Sequence, residues 1–160
     1  MALSKGDALP DFDFTIMGEN GPEALSIKDL TKGATVALFS VPGAFTPTCS
    51  VSHLPGFVDK KDELKAKGVD KIACVSVNDV FVMDAWGKSA GVGSDVIMLA
   101  DGNAEFAELT GTQLDGRAFG MGPRSKRYSM LIKDGKVVEL NIEEGGEFKV
   151  SSAEYMLAQL

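Results

Sequence analysis

The sequence predicts an α/β layered architecture, with a central mixed sheet and helices on both faces. Three observations carry that expectation. Residues 35–41 (TVALFSV), 72–77 (IACVSV) and 96–100 (VIMLA) are continuous apolar runs, the pattern of strands buried on both sides. Between them lie stretches with helical spacing and polar faces. Finally, Asp134-Gly135 separates two strand-like runs, Tyr128–Lys133 and Lys136–Ile142, and is the strongest hairpin signal in the chain.

The elements follow in order. Residues 11–17 (DFDFTIM) alternate like a short strand, and GENG at 18–21 reads as a turn. Ser26 heads a short helical turn that ends near Gly33. After the strand at 35–41, residues 42–48 (PGAFTPT) suit neither strand nor helix and read as a shaped loop. A helix is expected over 49–67, with Leu54, Phe57, Val58 and Leu64 near one face and Gly68 as the stop. Pro55 would deform that helix unless it falls in the first turn. A strand at 72–77 precedes a helix at 79–90, capped by Asn78 or Asp79. The strand at 96–100, a short helix at 104–110, the hairpin, and a terminal helix capped by Ser151-Ser152 complete the chain.

Composition bounds the function. The 160 residues suit one compact domain, expected over residues 1–160, and 44% apolar residues exclude a disordered chain. A net charge of −7 opposes binding to nucleic acid or to an anionic membrane. No apolar run approaches the roughly 20 residues that span a bilayer. The start, MALSKGDALPDF, has neither the apolar segment of a signal peptide nor the Arg-rich character of a transit peptide. Two cysteines do not make a secreted disulfide scaffold. A cytoplasmic protein is expected.

The informative segment is Val41-Pro-Gly-Ala-Phe-Thr-Pro-Thr-Cys-Ser50, directly after a buried strand and before a helix. Ligands bind at such carboxyl edges of α/β sheets. Cys49 is expected in the first helical turn, where free N–H groups and the helix dipole favour a thiolate. Free cysteine is also a common buried residue, so placement alone leaves a structural role open. Thr46 stands where a C-x-x-C motif would have its first cysteine. A hydroxyl closes no disulfide, but it can orient an oxygen substrate, or simply cap the turn.

PGAFTPTCS, followed by HLPGF at 53–57, resembles the peroxidatic motif of the peroxiredoxins, specifically the type II (peroxiredoxin V-like) group. Pro42, Thr46 and Cys49 stand in register with the family pattern P-x-x-x-T-x-x-C. VSVND at 75–79, FVMDAWG at 81–87 and KRYSM at 126–130 extend the resemblance over nearly the whole chain. It implies a thioredoxin-like fold with an N-terminal hairpin extension. It also implies a thiol peroxidase that reduces hydrogen peroxide and organic hydroperoxides through a cysteine sulfenic acid, without metal or prosthetic group.

By the same resemblance Cys49 is the nucleophile, Thr46 hydrogen-bonds the peroxide, and Pro42 shields the sulfur. The backbone N–H groups of Thr48 and Cys49 would bind the peroxide oxygens. The family arginine falls on Arg127, a permanently charged fork suited to a thiolate and to charge developing as the O–O bond breaks. Strand alternation does not separate it from Arg124 and Lys126. The resemblance further implies a homodimer, with the Trp86 region and the loop at Phe45 near its face.

Cys74 lies 25 residues after Cys49, within IACVSV. It reads as a small apolar strand residue, or, by resemblance, as a resolving thiol. Bridging to Cys49 would need Cα atoms within about 7 Å. Relatives with a C-terminal resolving cysteine carry it where this chain has Ser151 and Ser152. Two recycling routes follow. One uses glutathione and glutaredoxin; the other passes through a Cys49–Cys74 disulfide reduced by thioredoxin. The first is preferred, because the only internal partner is expected to be buried and distant. A redox sensor or holdase that reacts once is the non-catalytic alternative.

His53, the only histidine, stands four residues after Cys49. A Cys–His hydrolase would want such a base, but the pair lacks an independent orienting group. Cys49, His53 and Cys74 lack metal-site spacing. The glycine-rich stretch 116–122 matches no phosphate-binding motif and is expected as a flexible loop before Arg127.

Overall fold

A computed structural model describes residues 2–160. Strands β1 (Asp13–Gly18) and β2 (Gly21–Ser26) form an antiparallel hairpin, with Gly18 paired to Gly21 across the turn. The Ser26 side chain accepts the Asp29 N–H at 3.0 Å and so starts helix α1 (Ile27–Thr31). Then come β3 (Thr35–Ser40), a widened helical turn, α2 (Leu54–Asp59), α3 (Lys61–Ala66) and β4 (Lys71–Ser76). Helix α4 (Val80–Ser89) is capped by Asp79, whose side chain accepts the Val82 N–H at 2.9 Å. β5 (Ile97–Ala100), α5 (Glu105–Thr110), β6 (Gln113–Asp115) and β7 (Pro123–Ser125) lead to β8 (Tyr128–Lys133) and β9 (Lys136–Ile142). Helix α6 (Ala153–Gln159) starts at Ser152, whose side chain accepts the Tyr155 N–H at 3.1 Å.

Seven strands form one mixed sheet in the order β2-β1-β5-β4-β3-β8-β9. β3, β4 and β5 run parallel, and β1, β8 and β9 run antiparallel to their neighbours. Alternation along the strands divides the core in two. Phe39, Ile72, Cys74 and Leu131 pack with side chains from α2, α3, α4 and α6. Leu38, Val75, Met130 and Ile132 pack with α1, α5 and the β1 side chain Phe14. The expected mixed sheet with helices on both faces is thus present, and the hairpin implied by the resemblance extends it through β1.

Both rims of the sheet are partly protected. β2, the outer strand on one side, carries Pro22 and Glu23 exposed. On the other side, the backbone of residues 6–9 bonds to residues 135–137 beside β9.

Three expectations need correction. The helix predicted over 49–67 is not continuous: Cys49–His53 is a π-type turn in which the Leu54 N–H reaches back to Cys49 O, and the chain breaks again at Lys60. Pro55 lies at the start of α2. A proline there has no N–H and crowds the carbonyl four residues back, and a widened turn relieves that crowding. Residues 113–125 form an ordered β6–β7 ribbon rather than a flexible loop, with a 3-10 turn at Arg117–Phe119 and the Gly116 N–H bonded to Gly122 O at 2.7 Å. β2 has no strand signal of its own in the sequence and is implied only by the hairpin of the resemblance. Its sequence, GPEALS, lacks β-branched residues, and as an edge strand it has little to bury.

Candidate active site

The chain leaves the sheet at Val41, whose N–H still bonds to Val75 O at 3.1 Å. Residues 42–48 are then held by polar anchors. Asn78 Oδ1 accepts the Ala44 N–H at 2.9 Å and the Ser76 hydroxyl at 2.6 Å. Beside the loop, Arg124 donates to Met121 O and to Val77 O, which ties the β6–β7 ribbon to the end of β4. A Cβ on Gly43 would come within 3.1 Å of the Thr46 methyl and 3.2 Å of Met121, so the loop packs as glycine requires. Phe45 adopts φ 64°, uncommon for a large side chain and of the kind found where a loop is over-determined.

Pro47 opens the helical turn, where its missing N–H costs nothing. Cys49 falls in this first turn, as expected. The first N–H here to reach a backbone acceptor is that of Ser50, bonded to Thr46 O at 2.9 Å. Thr48 and Cys49 precede it, so their N–H groups belong to the unpaired start of the turn. Thr46 donates its hydroxyl proton to Gly43 O at 2.7 Å, which leaves its oxygen lone pairs as acceptors.

Cys49 is fully buried. Arg127 Nη2 donates to its Sγ at 3.1 Å, across 78 residues of sequence. Lys126 is exposed, and Arg124 is engaged with carbonyls, so of the three cations it is Arg127 that meets the sulfur. The other terminal nitrogen of Arg127, Nη1, lies 2.9 Å from His53 Nδ1, and the Phe148 ring stands 5.8 Å from Cζ. None of the ion pairs among the described residues includes Arg127. The guanidinium thus meets the sulfur with no carboxylate in ion-pair contact, while Glu143 and Glu144 line the same cavity as Arg127.

His53 is buried against Phe39 and Phe148. Burial, then the Arg127 charge, lowers its pKa from 6.5 to about 3, while its bond to Ser151 O pulls the other way. It is a neutral imidazole at working pH. A hydrolase base beside Cys49 would instead have to face the sulfur and accept its proton.

Pro42 lines a cavity of about 450 Å³ together with Arg127, Lys126, Leu114, Ile142 and Glu144. Cys74 is fully buried in β4, opposite Phe39. Desolvation raises its thiol pKa well above the ordinary value, the nearby Cys49 adds to this, and Arg127 works against it. Both cysteines are free thiols. Among the described residues, no group of three or more His, Cys, Asp or Glu side chains could hold a metal ion. No helix among the described residues is long and apolar enough to cross a membrane.

The Redoxin family profile matches residues 4–157. Over 99% of the chain, the sequence is 50% identical to the chloroplastic peroxiredoxin-2E of Arabidopsis thaliana, of which it covers 70%. It is 48% identical to peroxiredoxin-2B of the same plant, covering 98% of that protein. The chain belongs to the peroxiredoxin family. Among solved structures, reduced Prx3 of Vibrio vulnificus in complex with H2O2 matches with a TM-score of 0.95 and 46% identity over 98% of both chains. Peroxiredoxin 5 of Alvinella pompejana matches with a TM-score of 0.85 and 35% identity over 98% of this chain and 96% of that one. The peroxiredoxin described here has the thioredoxin-like fold and the thiol peroxidase activity of the type II group.

Sequence reasoning missed Asn78 as a loop anchor, Arg124 as the tie between the ribbon and the end of β4, and Ser151 as the acceptor for His53. VSVND was a visible signal for the first. The others are contacts across long sequence separations that no local pattern marks.

Proposed function

We propose that the chain works as a single peroxiredoxin domain, with Cys49 as the peroxidatic nucleophile toward hydrogen peroxide and organic hydroperoxides. The supporting observation is the 3.1 Å contact between Arg127 Nη2 and Cys49 Sγ, with the guanidinium in none of the ion pairs among the described residues. The thiolate attacks the terminal oxygen of the hydroperoxide. The S–O bond forms as the O–O bond breaks, and water or alcohol leaves once the departing oxygen has taken a proton. Thr46 accepts the hydrogen bond of the peroxide O–H. Arg127 and the N–H groups of Thr48 and Cys49 stabilise the charge that moves onto oxygen. Pro42 keeps solvent from the sulfur.

The sulfenic acid is recycled by glutathione, which releases water and leaves a mixed disulfide on Cys49 that glutaredoxin reduces. Burial of Cys74 within a strand favours this route over an internal disulfide reduced by thioredoxin. The test is peroxide consumption with glutathione plus glutaredoxin, compared with thioredoxin plus its reductase. Sustained turnover only in the thioredoxin arm would reverse the assignment, and a single turnover in both would make the protein a redox sensor.

A homodimer is part of this reading. Phe45, Phe81 and Phe119 expose large apolar rings, whereas Met83 and Trp86 are buried core residues. Sedimentation across a concentration series is the check. The proposed compartment is the cytoplasm, in keeping with two thiols and no disulfide framework; since peroxiredoxin-2E is a chloroplastic relative, cell fractionation must decide.

A further inference from the structure

We propose that Glu143 is a positioning residue for the peroxidase site, acting through Ser151 and His53 on the guanidinium of Arg127. Glu143 is 5% exposed and pairs with no cation among the described residues. Its Oε2 instead accepts three hydrogen bonds from the strap that follows: the Lys149 N–H at 2.6 Å, the Ser151 N–H at 2.8 Å and the Ser151 hydroxyl at 2.6 Å. A buried carboxylate so placed fixes the far end of the strap. Its own N–H bonds to Arg127 O at 2.9 Å, which fixes the near end.

The closed strap delivers two groups to the site. Phe148 lies against both the Arg127 guanidinium and the His53 ring. Ser151 O lies 2.8 Å from His53 Nε2. A carbonyl only accepts, so the imidazole proton must be on Nε2. Arginine only donates, so Nδ1 must offer its lone pair to Arg127 Nη1 at 2.9 Å. Both contacts require the same neutral tautomer. The result is a guanidinium held by an uncharged acceptor, with Nη2 left for Cys49 and no charge cancelled by the contact that holds it. A carboxylate in the place of His53 would hold the arginine as firmly and cancel its charge.

This inference rests on Cys49 and Arg127 being the reacting pair, and the tests separate the two. Because His53 is the only histidine, nitrogen NMR of the wild-type protein reads its tautomer directly. The expected pattern is a protonated Nε2 and a bare Nδ1. A proton on Nδ1 would overturn the proposal without any variant. Glu143→Ala should slow sulfenic acid formation by about tenfold, and Glu143→Gln, which keeps an acceptor oxygen, should recover most of that rate. His53→Phe should slow it at least as much. Because the residues act in series, the Glu143→Ala, His53→Phe pair should be no slower than His53→Phe alone. Additive losses, or an unchanged rate in Glu143→Ala, would refute the link. If instead Cys49→Ser still reacted with peroxide, the site reading would fail while the tautomer stood.

Discussion

Cys49 and Cys74 face the same side of the sheet, both without solvent exposure, and each belongs to the same apolar cluster. They differ in what surrounds the sulfur. Cys49 has a cation at 3.1 Å and the open start of a helical turn, whereas Cys74 sits mid-strand between β3 and β5.

One equivalent of peroxide followed by glutathione should therefore give a mixed disulfide on Cys49, visible as intact mass. Without glutathione, no internal disulfide should form. Cys74→Ala should form sulfenic acid at a rate within about twofold of wild type and cost about 1 kcal/mol of stability. Loss of glutathione dependence, with a clean internal disulfide, would contradict this.

The three polar roles at the sulfur predict graded losses. Cys49→Ser should abolish peroxide reduction. Arg127→Ala should slow the first step by about 10²–10³, and Thr46→Val by about tenfold to a hundredfold. Arg127→Lys keeps the charge but not the fork, so it should recover part of the rate and not all. Stopped-flow fluorescence of Trp86, whose Nε1 donates to Ser50 Oγ at 3.1 Å beside Cys49, provides the readout.

Burial of His53 predicts an acid-labile fold. Its pKa falls from 6.5 when solvated to about 3 when folded, so between these values the unfolded chain binds the extra proton. This contribution to stability is complete above pH 6.5 and drains away as the pH falls toward 3, by on the order of 5 kcal/mol at most. Denaturant unfolding at several pH values should show this slope, and His53→Phe should flatten it.

Gly43→Ala tests the loop. The added methyl would press on Thr46 and Met121, so peroxide reactivity should drop by about tenfold while circular dichroism stays unchanged. A wild-type rate would show that the loop tolerates the shift.

Local chemistry accounts for what was legible in advance. Ser26, Asp79 and Ser152 each cap a helix, and Asp134-Gly135 closes β8 onto β9 with φ 47° and 81°. Such signals act within a few residues. The distinction between Arg127 and Arg124 could not be read that way, because it depends on which side chain crosses the end of the sheet to a sulfur 78 residues away. The bond from His53 to Ser151, separated by 98 residues, is equally invisible to periodicity. The break of the helix after Cys49 was half visible: Pro55 announced a disturbance, but not that a widened turn would absorb it.

The two rims of the sheet have a consequence for crowded solutions. An outer strand with proline and glutamate turned to water, opposite one whose first residues are occupied by the chain's own leading segment, is a poor template for another molecule's backbone. Copies that collide are thereby steered toward side-chain contacts, which disfavours growth by addition of strand to strand.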